Sequence, residues 1–135
     1  MIDIGKLLQE AGLNYEIDED GDYNLVMALG NEGKNGVERT QLVIVCGQLQ
    51  GEDPEFIHIW SKATEVDSLK EADFLRVMQD SGRQVMGGWE IAGNNLIFTV
   101  KTGIRLTADE LSTIISFVAY EADEMEASFS DEDIN

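Results

Sequence analysis

The fold of this chain is decided by residues 107–129, which read TADELSTIISFVAYEADEMEASF. Apolar side chains recur there at spacings of four and three, the pattern of a helix with one buried side; they are Leu111, Ile115, Val118, Ala122, Met125 and Phe129. From Thr107 to the end, the chain has nine Asp or Glu residues and no Lys or Arg. Because the helix dipole is already negative at a C-terminal end, these acids destabilise that end. Unless another part of the molecule stabilises the helix end, it stays loose.

The charge of the whole chain limits the classes of partner. The 135 residues suit one domain, and their net charge is −18. Such a surface repels phosphate backbones and anionic lipids, so we expect neither nucleic acid nor a membrane as partner. An apolar or basic amphipathic segment of a client protein is electrostatically allowed. The alternative is that the charge serves solubility alone.

The cysteine content and the first residues indicate a compartment. Cys46 is the only cysteine, which excludes an internal disulfide framework and fits a reducing environment. The opening MIDIGK lacks the basic region and apolar run of a secretory signal, and no apolar stretch is long enough to span a bilayer. We therefore expect a cytoplasmic protein.

The first half of the chain predicts one short helix followed by strands. Asp3 is a candidate N-cap for a helix that closes at Gly12. After the turn-rich residues 18–22, alternation predicts a hairpin strand with Tyr23, Leu25, Met27 and Leu29 on one face. Residues 30–36 have the composition of a loop, and the only proline, Pro54, breaks the pattern further on. The runs at 40–46 and 56–60 are apolar on both faces and predict inner strands.

The second half predicts a helix, a hairpin and the long last helix. Capping-box spacing at residues 68–71 predicts a helix to about Ser81, and the same spacing at 107–110 opens the last helix. Residues 93–95, Gly-Asn-Asn, tolerate a tight reversal between two strands. The sequence thus predicts an α+β fold, an antiparallel sheet with three helices in the order α-β-β-β-β-α-β-β-α. We expect residues 1–127 to form one domain and 128–135 a short acidic tail.

Five features carry a resemblance to a known family. They are residues 7–13 (LLQEAGL), residues 15–22 (YEIDEDGD), a central pair of strands, WEI at 89–91 before LIF at 96–98, and ADEME at 122–126. This pattern resembles the YbjN group and its structural relatives, the class I type III secretion chaperones. The resemblance implies an α+β fold, commonly a homodimer, no catalysis, and a surface that binds an extended or helical partner segment. Its members differ in role, between secretion and regulation.

The candidate reactive groups favour structural roles. Residues 16, 18, 20 and 21 match the start of an EF-hand calcium loop, but Met27 stands where the bidentate Glu is required. The only histidine, His58, and Cys46 lack partners at catalytic or metal-binding spacing. The glycine-rich residues 82–88 lack the Gly-Lys-Ser/Thr sequence of a phosphate loop. We therefore predict no metal, no cofactor and no enzymatic activity.

The feature of the sequence that favours a binding function is its apolar surface. The alternating strands carry more large apolar side chains than a small domain readily buries. We predict a partner-binding groove built from two strand faces: Tyr15, Tyr23, Leu25, Met27, Phe56, His58 and Trp60. Methionines would let the groove adapt in shape: Met27, Met78 and Met86. The alternative for each residue is a place in the core under the helices. The apolar side of the last helix could likewise pack against the sheet or against a second copy of the chain. We favour packing against the sheet within the same chain.

The predicted function is a non-enzymatic, chaperone-like protein that holds a segment of a client in secretion, regulation or complex assembly. We expect a homodimer, with apolar contact supplying affinity and acidic edges setting orientation and association rate. The alternative is a regulatory module that binds a small ligand between the sheet and the helices. An enzyme has the least support, since no acid-base pair or nucleophile stands at useful spacing.

Overall fold

A computed structural model describes residues 3–32, 38–49 and 55–134 of the chain. The helices are α1 (Ile4–Glu10), α2 (Glu71–Arg83) and α3 (Ala108–Ile134), with one 3₁₀ turn at Val66–Ser68. The strands are β1 (Glu16–Ile17), β2 (Tyr23–Glu32), β3 (Glu38–Leu49), β4 (Glu55–Glu65), β5 (Gly88–Ala92) and β6 (Asn95–Gly103). The predicted loop at 30–36 and the break at Pro54 fall largely on residues 33–37 and 50–54, which lie outside the described residues.

The predicted fold class and element order are confirmed. All six strands form one antiparallel sheet in the order β1-β2-β3-β4-β6-β5. The Asp3 carboxylate caps α1 by accepting from the Lys6 N–H at 3.0 Å. At the start of α3, Thr107 and Glu110 exchange two hydrogen bonds of 3.1 Å, the predicted capping box. None of the described helices is both long and apolar enough to cross a membrane.

Two helix boundaries and one strand end differ from the sequence prediction, since β2 continues to Glu32 through the first residues of the loop predicted at 30–36. α2 begins at Glu71 rather than Ser68, because the N-cap is Lys70, whose N–H donates to the Asp73 carboxylate at 2.8 Å. The Ser68 hydroxyl instead donates to the Glu65 carbonyl at 2.7 Å within the 3₁₀ turn. The predicted tail from residue 128 continues as helix, and Phe129 within it is buried.

All three helices bury their apolar sides on one face of the sheet, which we call the helix face. Residues directly opposite each other on paired strands point to the same side, so Leu25, Val43 and Phe98 can be traced to this face from the pairing register. The buried cluster joins side chains of α1, the strands and α3: Leu8, Leu25, Val43, Ile59, Phe98, Leu111, Ile115 and Val118. A smaller cluster brings in α2: Ala63, Val77, Leu96, Met125 and Phe129. The apolar side of α3 therefore packs within the chain.

A buried polar pair marks the place where β3 and β4 stop pairing. The paired register of these strands ends at Ile44 and Trp60. Beyond it, the Gln41 amide donates to the Lys62 carbonyl at 2.7 Å and to the Ser61 hydroxyl at 2.9 Å. These side chains form hydrogen bonds with backbone groups that no longer pair between the strands. This explains why the polar residues Gln41 and Ser61 are buried in an apolar core. Here β2 and β3 continue together without β4.

The acidic end of α3 is stabilised by cations from other elements. On β3, the Arg39 guanidinium contacts an Asp123 carboxylate oxygen at 2.6 Å and donates to the Asp123 carbonyl at 3.1 Å. Asp123 is 5% exposed, so the pair is shielded from solvent on the helix side. On α2, the Arg76 guanidinium donates to the Ser128 hydroxyl at 3.2 Å and lies 4.9 Å from the centre of the Phe129 ring. These contacts stabilise the acidic C-terminal half of α3, which the sequence predicts to be loose without support from another part of the molecule.

We expect Asp123→Ala to destabilise the fold by about 2 kcal/mol or more, because it leaves the Arg39 charge partly buried without its partner. The exposed neighbour Glu124 provides the matched control, and Glu124→Ala should change the free energy of unfolding by less than about 0.5 kcal/mol. Chemical denaturation followed by circular dichroism measures both. Equal effects of the two substitutions would contradict the role given to the Arg39–Asp123 pair.

Candidate functional site

The seven residues predicted to bind a partner do not lie together. The helix face holds Tyr15, Tyr23, Leu25 and Met27. The opposite face, which we call the open face, holds Phe56, His58 and Trp60. Leu25 is 1% exposed and belongs to the core, so it is removed from any partner-binding surface of the folded domain. The other three on the helix face are half-buried and pack against the same core.

The open face presents an apolar surface on neighbouring strands. In the pairing register Val26 lies beside Leu42, and Ile44 beside Trp60. Val26 is 70% exposed and Leu42 is 48% exposed, whereas Ile44 and Trp60 are half-buried. Exposed apolar side chains that adjoin one another on a sheet are typical of binding surfaces. The sequence did not single out Val26 or Leu42, although alternation with the buried Leu25 and Val43 could have placed them.

Two lysines of the open face, Lys62 and Lys101, each lie close to a glutamate. The Lys101 ammonium lies 3.7 Å from the Glu90 carboxylate, and the Lys62 ammonium lies 3.4 Å from the Glu65 carboxylate. Glu16, on the short edge strand, extends the face at its margin. Most of the described acids instead lie on helices or in the turn before β2. The two lysines are thus each matched by a glutamate, whereas Glu16 and the acidic turn that carries Asp18 and Asp22 lie at the side of the face near β1.

Cys46 and His58 are cross-strand neighbours on the open face, a pairing that the sequence could not establish. The Cys46 thiol donates to the His58 carbonyl at 3.7 Å, and the His58 ring shares a hydrogen bond with the Thr99 hydroxyl. Burial, then the charges of Asp22 and Asp18, raises the pKa of Cys46 to about 11, and burial together with Lys101 lowers the pKa of His58. Both shifts oppose the thiolate–imidazolium pair that a nucleophilic cysteine uses.

The acidic residues before β2 form a hairpin turn. The Asp18 carboxylate accepts from the backbone N–H groups of Asp20 and Asp22 at 2.9 and 3.0 Å and from the Asn24 amide at 3.1 Å. These bonds, led by the one from Asp22, lower the pKa of Asp18. The exit helix that a calcium loop requires is replaced by β2. The acidic stretch is explained by the turn that it builds.

The glycine-rich residues 82–88 form a close approach between α2 and the sheet. Gly87 has a φ of 75°, and a Cβ there would lie 2.5 Å from the Thr99 carbonyl oxygen. At Gly88 a Cβ would meet the Ser81 hydroxyl at 2.6 Å. The glycines are needed because backbone and helix end meet here. A strand follows them, as the sequence indicated.

The outer edge of β2 lacks a complete neighbouring strand. β1 pairs only with Tyr23 and Asn24, whereas on the other side β3 pairs with β2 as far as Ala28 and again, after a bulge, at Glu32. Among the described residues, no strand lies beside β2 from Leu25 onward on its outer side. The opposite edge of the sheet, β5, is covered by α2, where the Ser81 hydroxyl accepts from the Trp89 N–H at 3.2 Å. As far as the described residues show, the sheet therefore has one covered edge and one open edge.

A small cleft of about 190 Å³ lies between α2 and α3. Two of the acids that line it accept hydrogen bonds: the Gln84 amide donates to Glu121 at 2.9 Å and to Asp80 at 3.0 Å, and the Trp89 indole also donates to Asp80 at 2.7 Å. Burial, with the nearby charges of Asp80 and Glu124, raises the pKa of Glu121 against the opposing effect of the Gln84 bond. The space between the sheet and α3 is filled by the core cluster.

Comparison with known proteins adds no relative. A scan against models of protein families finds no match, and a search of curated proteins finds none.

We expect stability to rise as the pH falls from 7 toward 4.5, the ordinary carboxyl pKa, partly through Glu121. A raised folded pKa means that the folded state favours the protonated form of Glu121, so its partly buried charge costs some stability at neutral pH and protonation relieves this cost. Glu121→Gln should therefore raise the melting temperature at pH 7 and reduce the gain on acidification. Glu10→Gln, at an exposed helix position, is the control. A larger effect from Glu10 would contradict this assignment.

Proposed function

We propose that this chain is a non-enzymatic, chaperone-like domain that holds an extended segment of a client protein along the outer edge of β2. The observation that carries the proposal is that, within residues 3–32, 38–49 and 55–134, no strand pairs with this edge beyond Asn24. Extended peptides bind open sheet edges by adding a strand, so that main-chain hydrogen bonds supply affinity and side-chain positions supply specificity. The domain would act in the cytoplasm, as its single buried thiol suits a reducing compartment.

The backbone groups available for this pairing belong to alternate residues. The Asp18 N–H donates to the Asp22 carbonyl at 3.0 Å, which directs the backbone groups of Asp22 toward β1. Backbone direction alternates along an antiparallel strand, so Asn24, Val26 and Ala28 point the same way. Asn24 is opposite Glu16 on β1, but Val26 and Ala28 extend beyond it. An added strand could thus form up to about four hydrogen bonds, each contributing about 1 kcal/mol.

From Leu25 to Ala28 the edge lacks the side chains that normally prevent strand addition. Residues 25–28 read LVMA, without a charge or a proline, whereas a bulge and Glu32 mark the far end of the strand. Natural edge strands are commonly protected by lysine, proline or a covering segment. Val26 also projects its side chain onto the open face, where a client side chain can pack beside it. An apolar strand of alternating pattern is the segment that fits.

The charge around the edge favours a client with basic flanks. Glu16 and the acidic turn at residues 18–22 stand at one end of the open edge. Opposite charges across an interface guide encounter and set orientation more than they add affinity. A basic residue beside the apolar strand would therefore place the client in one register.

The small-ligand alternative has less support from the packing. The core cluster fills the space between sheet and α3, where such a ligand was expected. A metabolite panel that raises the melting temperature would favour the regulatory module over the client-holding domain.

The edge is tested with a designed peptide of alternating valine and threonine with a lysine at each end. In the free protein, we expect fast amide exchange at Val26 and Ala28 and slow exchange at Leu25 and Met27 by NMR. Peptide binding should slow exchange at Val26 and Ala28 alone. The control peptide has glutamate in place of the lysines and should bind at least about tenfold more weakly.

A substitution at the edge gives an independent test. Val26→Pro removes an outward N–H and should weaken peptide binding by at least about tenfold, since a main-chain bond and its geometry are lost. Val26→Ile retains the N–H and should bind as the parent does. Unchanged binding by a folded Val26→Pro variant would overturn the proposed edge.

Salt dependence tests the role of charge in the proposal. We expect the association rate of the lysine-flanked peptide to fall as sodium chloride rises, with little change in the dissociation rate, because screening acts on long-range attraction. Stopped-flow fluorescence measures both rates. An association rate that is indifferent to salt would contradict the role given to the acidic flank.

A further inference from the structure

The cleft between α2 and α3 carries charges of both signs around an apolar side chain. Its volume is about 190 Å³, which is room for about six water molecules at about 30 Å³ each. The α2 wall carries two guanidinium groups, those of Arg76 and Arg83. The α3 wall carries two carboxylates, those of Glu121 and Glu124. Between them lies Met125, which is 9% exposed and belongs to the smaller core cluster.

Hydrogen bonds between the two helices lie at both ends of the cleft. The Gln84 amide donates to the Glu121 carboxylate at 2.9 Å, and the Arg76 guanidinium donates to the Ser128 hydroxyl at 3.2 Å. Along each helix these two contacts are about two turns apart, roughly 11 Å at 1.5 Å per residue. They fix the length of the cleft and hold its walls in place.

The carboxylates of the α3 wall are not engaged by cations of the chain. Among the described residues, no ion pair within 4.0 Å includes Glu121 or Glu124. On the α2 wall, the Arg83 side chain is 75% exposed and lies 3.8 Å from Asp80 of its own helix, a weak exposed pair. Asp80 already accepts hydrogen bonds from two other side chains. A ligand can therefore reach Arg83 and both glutamates without breaking a salt bridge across the cleft.

We propose that this cleft binds a free α-amino acid with an apolar side chain. Its carboxylate would accept from the Arg83 guanidinium, whose planar fork matches a carboxylate. Its ammonium group has three donors and would donate to Glu121 and Glu124. Its side chain would lie on Met125. The cleft is smaller than the roughly 300–1,000 Å³ of drug-sized pockets, which limits the ligand to a small molecule.

The occupant is a free amino acid rather than a client segment. Within a peptide, amide bonds replace the ammonium and carboxylate groups, so only a free amino acid carries both on one carbon atom. The cleft lies at the β5 side of the sheet, since the Trp89 indole donates to Asp80 in its lining. Client binding is proposed at the β2 edge, at the other side of the sheet. Neither proposal depends on the other.

The ionisation of Glu121 gives the site a distinct pH dependence. Burial raises the pKa of Glu121, and the charges of Asp80 and Glu124 add to this shift against the opposing bond from Gln84. A bound ammonium group favours the charged carboxylate and lowers this pKa again. Because binding needs the charged form, affinity should fall as the pH is lowered through the pKa of Glu121 in the free protein. The two arginines of the cleft remain protonated throughout.

The test is an NMR titration of the full chain with L-leucine, observing backbone amides and side-chain carboxyl carbons. We expect a dissociation constant of about 1 mM, amide shifts centred on residues 76–84 and 121–128, and a lowered pKa of Glu121. N-acetyl-L-leucine lacks the ammonium group and L-leucine amide lacks the carboxylate. Each should bind at least about tenfold more weakly than L-leucine. The lysine-flanked peptide should bind equally well with and without L-leucine.

Substitutions in the cleft give an independent test. Arg83→Gln and Glu121→Gln should each weaken L-leucine binding by at least about tenfold, because each removes one charge that the ligand contacts. Arg105→Gln and Glu71→Gln are the matched controls at exposed positions that do not line the cleft, and they should bind as the parent does. Circular dichroism and melting temperature confirm that each variant is folded.

Three results would overturn the proposal. The first is the absence of amide shifts in the parent chain at about 10 mM L-leucine. The second is an amide or N-acetyl analogue that binds as tightly as L-leucine, which would assign the cleft to a ligand of single charge. The third is unchanged binding by folded Arg83→Gln and Glu121→Gln variants, which would place the ligand elsewhere.

Discussion

The structure depends on the contact between Arg39 and Asp123. The last helix is the main cover of the sheet, yet its C-terminal half accumulates acids where the backbone dipole is already negative. A guanidinium held at 2.6 Å from a carboxylate that is almost wholly buried offsets this repulsion and fixes the helix to β3. With the helix fixed, Phe129 can be buried and α2 can pack against it. One ion pair thus connects residues that are 84 positions apart in sequence.

Most of the architecture could be predicted because local signals agreed with the tertiary structure. Capping at Thr107, the Gly93 reversal and the apolar side of α3 each depend on neighbours within a few residues. The start of α2 could not be settled in this way, since Ser68 and Lys70 both precede an acid by three positions. The helical continuation through Phe129 depends on Arg76 of α2, a contact that composition does not reveal.

The candidate site was less predictable because the inner strands are apolar on both sides. Alternation grouped Tyr23 with Leu25 and, separately, His58 with Trp60, but it did not decide which group faces the helices. The face on which each group lies follows from how β2 and β4 pair with β3, because a shift of one residue in that register would turn every side chain to the other face. The edge of β2 is open because β1 is only two residues long. The turn residues after Ile17 show where β1 ends, but this matters for the edge only once β1 is known to pair with β2.

The two tryptophans occupy distinct environments, with a practical consequence for spectroscopy. Trp89 donates its indole N–H to Asp80 and meets the Phe98 ring edge-on at 5.1 Å, under α2. Trp60 lies on the opposite side of the sheet, beside Ile44. Intrinsic fluorescence therefore contains two separable reporters within the native protein. The emission of Trp89 reports on the packing of α2 against the sheet, and the emission of Trp60 reports on the solvent exposure of the open face. Neither measurement needs an attached dye.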